Sequence, residues 1–371
     1  MRKRIAIGIL SDLYHETRLL RMVESLQQAG WQVIIISAAD ADGEHPFHDV
    51  EFVQLHLKSR RRLKRVFLSF MWQLFRVAGK LDVDCFLAVD PPALFPLALR
   101  RRCRPLIYDS REYFIELGTV VRRPLIKRFW YLLERYGIKR ADSWLTVCSG
   151  IEMELRQLYG LQPGQVVRNV PREQSPAETE YLREHFTIPA DRSILLYQGG
   201  LWAAYDFEQL NRAVLELPKT VLVYLGDGPL LKPLQEWVAA HQAGKQILFH
   251  PRVVPQRLPE ITASADAGVI LIPPAGKSFW YLLPNKLFEF IQAGLPVLVS
   301  NFPEMEQLVQ EYRIGAAVDP TDSVAIKQAL QELLAADSRG EFSAGLERAA
   351  RELNWEREEV AFMQVVRQLC N

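Results

Sequence analysis

Short apolar segments alternate with amphipathic segments through the first part of the chain. Residues 16–29 have apolar positions at helical spacing and precede Gly30, a residue common at helix ends. The segments typical of buried strands are 5–10, 31–37, 85–89, 105–108 and 144–148. Alternation of this kind predicts an α/β domain with a parallel sheet covered on both faces.

The pattern breaks at residues 168–192, where Pro171, Pro176 and Pro189 stand among polar residues. It then resumes with strand-like segments at 194–197, 220–225, 246–250, 267–272 and 296–300. A chain of 371 residues is long enough for two domains. We therefore predict two Rossmann-like, doubly wound domains facing a central cleft, over 1–170 and 171–354. The remaining segment, 355–371, is expected to form a helix that packs back on the first domain.

The composition is that of a globular protein, with 49% apolar and 24% charged residues. The four cysteines at 85, 103, 148 and 370 form no CxxC pair, which argues against a zinc site or a disulfide framework. The N-terminal apolar run is short, and no later segment approaches the length of a membrane span. These features predict a cytoplasmic protein with reduced thiols, either soluble or bound peripherally to the inner face of the cell membrane.

Charge is distributed unevenly along the chain. Residues 1–172 contain 28 basic and 18 acidic residues, a net charge of +10, whereas the remainder carries −9. A basic half can face anionic lipid or another polyanion. The alternative is that the opposite charges only help the two domains to face each other.

The segment SRRRLKRVFLSFMWQLFR, residues 59–76, begins with five basic residues. Its apolar residues follow at helical spacing: Phe67, Phe70, Met71, Leu74 and Phe75, with Trp72 among them. This pattern predicts an interfacial helix on an anionic membrane, in a patch enlarged by Arg100–Arg102 and Arg122–Arg123. The alternative is that the apolar face packs on the sheet.

Several catalytic motifs are absent from the sequence. No GxGxxG follows the first strand, and the chain contains no GxxxxGK[ST], GxSxG or HExxH. A dinucleotide-binding fingerprint, a phosphate-binding loop, a nucleophile elbow and a zinc-protease motif are therefore excluded. No cluster has metal-ligand spacing, so we predict neither a metal nor a cofactor.

The most informative segment is PNKLFEFIQAGLPVLVS, residues 284–300. Pro284 opens a helix, and the free N–H groups of a helix N-terminus attract phosphate. Lys286 adds a cation there, and Glu289, one turn later, can accept hydrogen bonds from two neighbouring hydroxyls. A phosphate beside a vicinal diol is what a nucleoside diphosphate presents. The alternative is a surface Lys–Glu pair on an ordinary helix.

This segment resembles the donor-site motif of retaining glycosyltransferase family 4, which has the GT-B fold. Other landmarks follow in matching order: LIYDSREYF (106–114), LLYQGGL (195–201), VYLGDGPLL (223–231) and the region 249–272 ending in ADAGVILI. The resemblance implies an acceptor-binding first domain and a second domain that binds a nucleotide sugar. It implies transfer of a hexosyl group from a UDP- or GDP-linked donor to a glycan or lipid-linked acceptor, with retention. Such reactions belong to cell-surface polysaccharide or glycolipid synthesis.

The resemblance and the strand ends together give the candidate site residues. Glu289 matches the second glutamate of the family's E-x7-E motif. The donor-binding set is Gly199, Gly200, Gly226, Arg252, Tyr281, Asn285, Lys286, Leu287 and Glu289. The candidate catalytic residues are Lys286, Glu289, Asp109 and Arg111, and the acceptor-side residues are Asp12, Arg18 and Glu112.

Three positions depart from the family pattern. Tyr281 replaces the first glutamate of E-x7-E, and Arg111 replaces a common histidine. A basic residue after the glycine loop is replaced near Tyr205–Asp206, so Lys286, Lys277 or Arg252 would supply the phosphate cation. These departures keep two alternatives open: a non-catalytic partner subunit with the same fold, and a sugar-nucleotide epimerase.

Overall fold

The computed structural model describes residues 2–11, 13, 16–38, 47–57, 63–202, 207–335 and 338–370. These residues fold into two compact units. The first comprises Met1–Asn169, Gly276–Ser278 and Arg357–Asn371, and the second comprises Val170–Ala275 and Phe279–Glu356. The C-terminal residues therefore belong to the first unit, although they follow the second unit in sequence.

The first unit contains a parallel sheet of seven strands in the spatial order β3-β2-β1-β4-β5-β6-β7. The strands are β1 (Arg4–Ile9), β2 (Gln32–Ser37), β3 (Glu51–Gln54), β4 (Cys85–Val89), β5 (Leu106–Ser110), β6 (Ser143–Thr146) and β7 (Gln165–Val166). The helices are α1 (Thr17–Gln28), α2 (Leu63–Ala78), α3 (Asp90–Arg100), α4 (Gly118–Val121), α5 (Pro124–Ile138) and α6 (Ser149–Tyr159). A 3₁₀ turn at Phe114–Glu116 precedes α4.

The second unit contains a parallel sheet of six strands in the order β10-β9-β8-β11-β12-β13. The strands are β8 (Ser193–Gln198), β9 (Thr220–Leu225), β10 (Ile247–His250), β11 (Ala267–Ile270), β12 (Val297–Ser300) and β13 (Gly315–Val318). The remaining helices of the chain are α7 (Tyr181–Phe186), α8 (Glu208–Leu215), α9 (Leu231–Ala240), α10 (Leu258–Ala263), α11 (Lys277–Trp280), α12 (Asn285–Gln292), α13 (Pro303–Tyr312), α14 (Ser323–Leu333), α15 (Ser338–Glu352) and α16 (Trp355–Cys370). A 3₁₀ turn lies at Pro255–Arg257.

The central strands are apolar because helices cover both faces of each sheet. Both β4 (CFLAV) and β9 (TVLVYL) are buried at every position. Continuous apolar strands are typical of parallel sheets covered on both sides. The prediction of two Rossmann-like, doubly wound domains is therefore confirmed.

Each sheet contains a point where the strand order reverses direction. This point lies between β1 and β4 in the first unit and between β8 and β11 in the second. In doubly wound sheets, ligands bind in the crevice at the carboxyl ends of the strands around such a point. Gly199 and Gly200 directly follow β8, and Arg111 and Glu112 directly follow β5, the neighbour of β4 in the first sheet.

Most of the predicted apolar face of α2 is packed inside the first unit, whereas Trp72 of that set is exposed. Phe70 and Leu74 are fully buried, and Met71 is nearly so. A Cβ added to Gly8 of β1 would lie 3.1 Å from the Leu74 side chain, so the helix packs directly on the sheet. The expected membrane face is thus corrected, because burial against the sheet uses those side chains. The basic residues 60–62 lie outside the described part of the chain.

Candidate active site

Two glycine loops follow β8 and β9 at the carboxyl edge of the second sheet. The backbone at Gly226 passes so close to the first loop that a Cβ there would lie 2.0 Å from the Gly199 carbonyl oxygen. The Leu201 N–H donates to the Asp227 carbonyl over 2.9 Å, which fastens one loop to the other. Gly226 also has a φ of 152°, which glycine adopts readily. Its role in this structure is to let the two loops pack.

Lys286 lies beside the first glycine loop. Its Nζ is 4.2 Å from the centre of the Tyr197 ring, and a Cβ on Gly199 would lie 3.0 Å from that nitrogen. The Tyr197 hydroxyl donates to the Gly200 carbonyl (3.0 Å), and a Cβ on Gly200 would collide with the Trp202 side chain. The structure thus brings Gly199, Gly200 and Lys286 together.

The helix α12 begins at Asn285, with Pro284 at its N-cap. Lys286 is half-buried in the first turn, and burial lowers the pKa of its ammonium to about 8, against the opposing effect of Glu289. The Leu287 side chain is fully buried and anchors the helix, whereas Asn285 is exposed. Backbone N–H groups and an ammonium at one helix N-terminus form a site suited to a diphosphate.

The Glu289 carboxylate is held by a chain of hydrogen bonds. Gln198 Nε2 donates to Glu289 Oε2 over 2.5 Å, and Thr262 Oγ1 donates to Gln198 Oε1 over 2.8 Å. Gln198 and Thr262 are almost completely buried, while Glu289 is half-buried. A buried amide therefore orients the Glu289 carboxylate, which is predicted to accept hydrogen bonds from ribose hydroxyls. Sequence reasoning missed Gln198, although its position as the polar last residue of an apolar strand is a usable signal.

The other predicted donor residues lie in loops. Arg252 is exposed two residues after β10, and Tyr281 is half-buried directly after α11. Lys277, a suggested substitute for the phosphate cation, is paired with both carboxylate oxygens of Glu154, at 2.7 and 2.8 Å within the first unit. That pairing leaves Lys286 as the better supported phosphate cation.

In the first unit, an ion-pair cluster lies around the reversal point of the sheet. The Asp90 carboxylate follows β4 and accepts three hydrogen bonds from Arg111: from the backbone N–H (3.1 Å), Nε (3.0 Å) and Nη2 (2.7 Å). Glu16 accepts from Nη1 of the same guanidinium. Asp90 has a φ of 60°, a conformation that is rare outside glycine and often found at functional sites. Arg111, a predicted catalytic residue, is thus held between two carboxylates.

Glu112 lies next to this cluster, and its side chain is exposed. Surrounding protein displaces part of its hydration, and the charges of Asp90 and Glu16 add to this effect against the opposition of Arg111. Together they raise the pKa of Glu112 to about 7.

Arg18 and Asp109 form a buried ion pair, with 2% and 1% of their side chains exposed and Nη2 2.8 Å from Oδ1. Arg18 Nη1 also donates to the carbonyls of Val167 and Arg168, at 2.6 and 3.1 Å. The pair is enclosed by the first unit, so we assign both residues a positioning role rather than contact with substrate. Asp12, the third acceptor-side prediction, lies outside the described residues.

Comparisons with known proteins decide the class of enzyme. Residues 15–170 match the family described as "Glycosyl transferase 4-like domain", and residues 178–353 match "Glycosyl transferases group 1". The chain is a glycosyltransferase of the GT-B superfamily. The predicted fold and the predicted glycosyl transfer are both confirmed, whereas the roles of individual site residues stay predictions.

The glycosyltransferase is similar to two curated proteins over most of its length. It is 24% identical over 359 residues to the chitobiosyldiphosphodolichol beta-mannosyltransferase of Kluyveromyces lactis, covering 83% of this chain and 77% of that protein. It is 26% identical over 278 residues to the GDP-mannose-dependent alpha-(1-6)-phosphatidylinositol monomannoside mannosyltransferase of Mycolicibacterium smegmatis, covering 70% and 69%.

Among solved structures, the glycosyltransferase resembles a sucrose-phosphate synthase from Thermosynechococcus elongatus. The TM-score is 0.82 at 20% identity, with 99% of each chain covered. This likeness concerns the fold alone.

Proposed function

We propose that this glycosyltransferase transfers a mannosyl group from GDP-mannose to a lipid-linked acceptor. The observation that carries the proposal is its similarity over most of the chain to two mannosyltransferases whose names specify lipid-based acceptors. One of those names also specifies GDP-mannose. We therefore propose mannose as the transferred sugar, where the sequence predicted only a hexosyl group.

The second unit supplies the residues for the donor. The ammonium of Lys286 and the N–H groups at the start of α12 suit the diphosphate, and Glu289 suits the ribose hydroxyls. The difficult step in the reaction is the build-up of charge on the departing diphosphate, which preorganised donors of this kind stabilise. Among the described residues, no group of three or more His, Cys, Asp or Glu side chains is placed to hold a metal ion.

Retention of anomeric configuration, which the family 4 resemblance implies, stays a prediction. The names of the two relatives specify a β product and an α product respectively. From an α-linked donor, a β product requires inversion and an α product requires retention. The configuration of the product therefore has to be measured for this chain.

Docking on an anionic membrane is the second part of the proposal. The outward faces of α2 and α5 expose Leu68, Trp72, Leu125, Phe129 and Leu132, with side chains 42–83% exposed. The two helices are joined by an edge-to-face contact between the Phe67 and Trp130 rings, with centroids 5.0 Å apart. No described helix is both long and apolar enough to cross a membrane. A lipid-linked acceptor would be reached from the membrane surface.

Charge complementarity supports a lipid surface as the partner. The exposed basic residues on and next to these helices include Lys64, Arg65, Arg76, Arg122, Arg123, Arg128 and Arg135, and none of these is paired with a described carboxylate. The only acidic residue within α2 and α5 is Glu134, which is fully buried. A basic surface with exposed aromatic and aliphatic side chains suits an anionic interface.

The test of the proposed reaction combines binding with turnover. Purified protein is assayed for thermal stabilisation by GDP and UDP, then for transfer from GDP-mannose, UDP-glucose and UDP-galactose to a polyprenyl-diphosphate chitobiose and to a phosphatidylinositol mannoside. We expect stabilisation by GDP and mannosyl transfer to one of the lipids. Nucleotide binding without transfer would favour the partner-subunit alternative, and release of an altered free sugar would favour an epimerase.

A further inference from the structure

A groove of about 1140 Å³ lies on the second unit, and all of its lining residues belong to that unit. It is formed by the segment before α7 and by α7, α10, α12 and α15. Asp266 and Leu295, which line it, come one and two residues before β11 and β12. We call it the amino-edge groove, because it lies at the amino ends of these strands. The glycine loops follow the carboxyl ends of β8 and β9, so the groove is separate from the predicted donor site.

The amino-edge groove is negatively charged. Its lining contains five acidic residues and two basic ones, a net charge of −3. Both basic residues already face carboxylates of the groove. Arg183 Nε lies 2.9 Å from Glu180 Oε2, and Arg351 Nη2 lies 4.0 Å from Glu347 Oε2. The last residues of α10 and α12 also line the groove, and the C-terminal end of a helix carries partial negative charge. A cation in the groove would therefore be stabilised.

Two carboxylates of the groove have no partner within the described part of the chain. Glu178 and Glu184 are exposed, and neither side chain forms a hydrogen bond or an ion pair with a described residue. Glu347 is also exposed, and its contact with Arg351 is long. These carboxylates come from the segment before α7, from α7 and from α15, so the negative charge is spread along the groove. A spread charge complements several cationic side chains better than it complements a single ion.

The segment before α7 adds main-chain groups to the groove. Residues 171–180 form neither helix nor strand, and the main chain of residues 175–178 forms no hydrogen bond with a described residue. The segment is nevertheless held in place, because the Gln174 N–H donates to Oε1 of Gln292 over 2.9 Å and Gln292 is almost completely buried. Fixed N–H and carbonyl groups beside a groove suit the main chain of an extended peptide.

Buried apolar side chains also line the groove. Ile291, Leu295 and Leu346 are at most 4% exposed. The methylene stems of lysine and arginine pack on apolar surfaces of this kind while their charged ends reach carboxylates. The volume of the groove also exceeds the roughly 300–1,000 Å³ of a small-molecule pocket. Size, charge and lining thus all suit a basic peptide.

We propose that the amino-edge groove binds an extended segment of a partner protein that is rich in arginine and lysine. The cationic ends of that segment contact Glu178, Glu184 and Glu347, and its main chain pairs with the segment before α7. This partner site goes beyond the proposed mannosyl transfer and does not depend on it. Lys286 lies at the opposite end of α12, so docking in the groove leaves the predicted phosphate contact free.

The test uses the full chain and a fluorescent eight-residue peptide of alternating arginine and alanine. Binding is measured by fluorescence anisotropy at low and moderate salt for the wild type and two triple variants. The groove variant combines Glu178→Gln, Glu184→Gln and Glu347→Gln. The control variant removes the same charge from exposed positions of α9, α13 and α14 outside the groove, and combines Glu236→Gln, Glu311→Gln and Glu332→Gln. A second peptide carries citrulline, a neutral analogue, in place of arginine.

We expect the wild type to bind the arginine peptide with a Kd of roughly 1–100 μM. The groove variant should bind it at least about tenfold more weakly, whereas the control variant should stay within about twofold of the wild type. The citrulline peptide should also bind the wild type at least about tenfold more weakly. Both variants should keep the circular dichroism spectrum of the wild type, so that a loss of binding reports on the groove and not on folding.

Equal losses in the groove and control variants would overturn the proposal, because binding would then follow net charge alone. Absence of binding by the wild type at about 1 mM arginine peptide, or equal affinity for the citrulline peptide, would overturn it as well. Spermine, a polycation without a peptide main chain, should displace the arginine peptide only weakly. Displacement by spermine at the concentration of the peptide itself would assign the groove to small polycations instead.

Discussion

Lys286 is a cation placed where the fold disfavours it. It stands in the first turn of α12, where the helix dipole repels positive charge, and it is half-buried over the Tyr197 ring. Burial lowers its pKa to about 8, so the protein alone binds its proton weakly. A diphosphate bound at the same helix end would reverse both effects. The charge is therefore better explained by an anionic ligand than by the stability of the folded protein.

The first prediction follows from this pKa. The predicted phosphate contact requires the ammonium form, so GDP affinity should be highest below pH 8 and should fall as pH rises through about 8. Lys286→Arg stays charged over this range and should flatten the profile. Lys286→Ala should weaken GDP more than guanosine. Titration calorimetry from pH 6.5 to 9.5 measures these effects, with Lys232→Ala, an exposed lysine of α9, as control. Equal losses for both ligands would contradict a phosphate contact.

Glu289 supports the second prediction, which concerns the other end of the nucleoside. Glu289→Ala should weaken GDP and guanosine equally, because both carry the ribose hydroxyls. Loss of hydrogen bonds to a charged group costs about 1.5–3 kcal/mol, or roughly 10- to 150-fold in Kd. Glu311→Ala, an exposed residue at the end of α13, is the control. Unchanged affinity for both ligands in a folded variant would remove Glu289 from the donor site.

Glu134 gives a third prediction, on stability. It is fully buried, and burial raises its pKa to about 7 although the Tyr108 and Tyr159 hydroxyls donate to it at 2.6 and 2.8 Å. A carboxyl whose pKa is higher when folded retains its proton in the native state, so stability should fall as pH rises from about 4.5 to 7. The shift corresponds to a loss on the order of 3 kcal/mol. Thermal unfolding of Glu134→Gln should lack this slope, whereas Asp82→Asn should keep it.

At the scale of elements, the fully buried strands were predicted from the sequence, whereas three partly exposed strands were not. The central strands β4 and β9 were predicted at their observed bounds, because both are continuous apolar runs. The unpredicted strands β3, β7 and β13 all lie at sheet edges, where only one neighbour is present and burial is partial. Their sequences, EFVQ, QV and GAAV, carry no apolar run to detect.

The candidate site shows the same division. Lys286, Glu289 and the glycine loops could be predicted because a helix start and glycine residues leave local signals. The partners of the predicted residues could not be predicted, since Gln198 meets Glu289, and Asp90 meets Arg111, only after segments apart in sequence come together in the fold. The buried pairing of Arg18 with Asp109 joins residues 91 positions apart, which no local pattern reveals.

The exposed faces of α2 and α5 carry the fourth prediction. Trp72→Ser combined with Phe129→Ser should lower binding to anionic vesicles about tenfold or more, because both side chains are exposed and available for burial in the interface. Arg65→Gln, Arg76→Gln and Arg128→Gln together should reduce the preference for anionic over neutral lipid, at about 1 kcal/mol per charge. Val360→Ser, on the exposed face of α16, is the apolar control.

Vesicle sedimentation at low and moderate salt makes this measurement. Binding that is insensitive to lipid charge, or that survives both sets of substitutions, would contradict docking through these helices. Most residues that the sequence predicted for the membrane contact, including Phe70 and Leu74, lie on the face of α2 that packs on the sheet, and Trp72 is the predicted residue that the tested surface shares. The surface tested here is the opposite face of α2 together with α5. The sequence did not predict a contact through α5, because the exposure of its side chains depends on which side of the helix packs in the fold.

At the scale of the whole molecule, the chain is not divided into two consecutive halves. The first unit takes its residues from both ends, since Arg357–Asn371 join Met1–Asn169. Ion pairs neutralise only part of the positive charge of residues 1–172, because the arginines on α2 and α5 have no described carboxylate partner. The uneven charge of this protein therefore includes an exposed basic surface on α2 and α5 that is available to an anionic partner.

The C-terminal residues of the first unit give the fifth prediction. Glu358 of α16, whose side chain is 7% exposed, accepts hydrogen bonds from the Arg168 backbone N–H and Nη1, at 2.8 and 2.9 Å. Glu358→Ala would leave a buried N–H unsatisfied, at a cost of about 1–3 kcal/mol. We expect a lower unfolding temperature and faster proteolysis near residue 168, with Glu359→Ala as the neighbouring control. Unchanged stability would mean that α16 is held by its buried apolar side chains, such as Phe362 and Val366, without help from the ion pair.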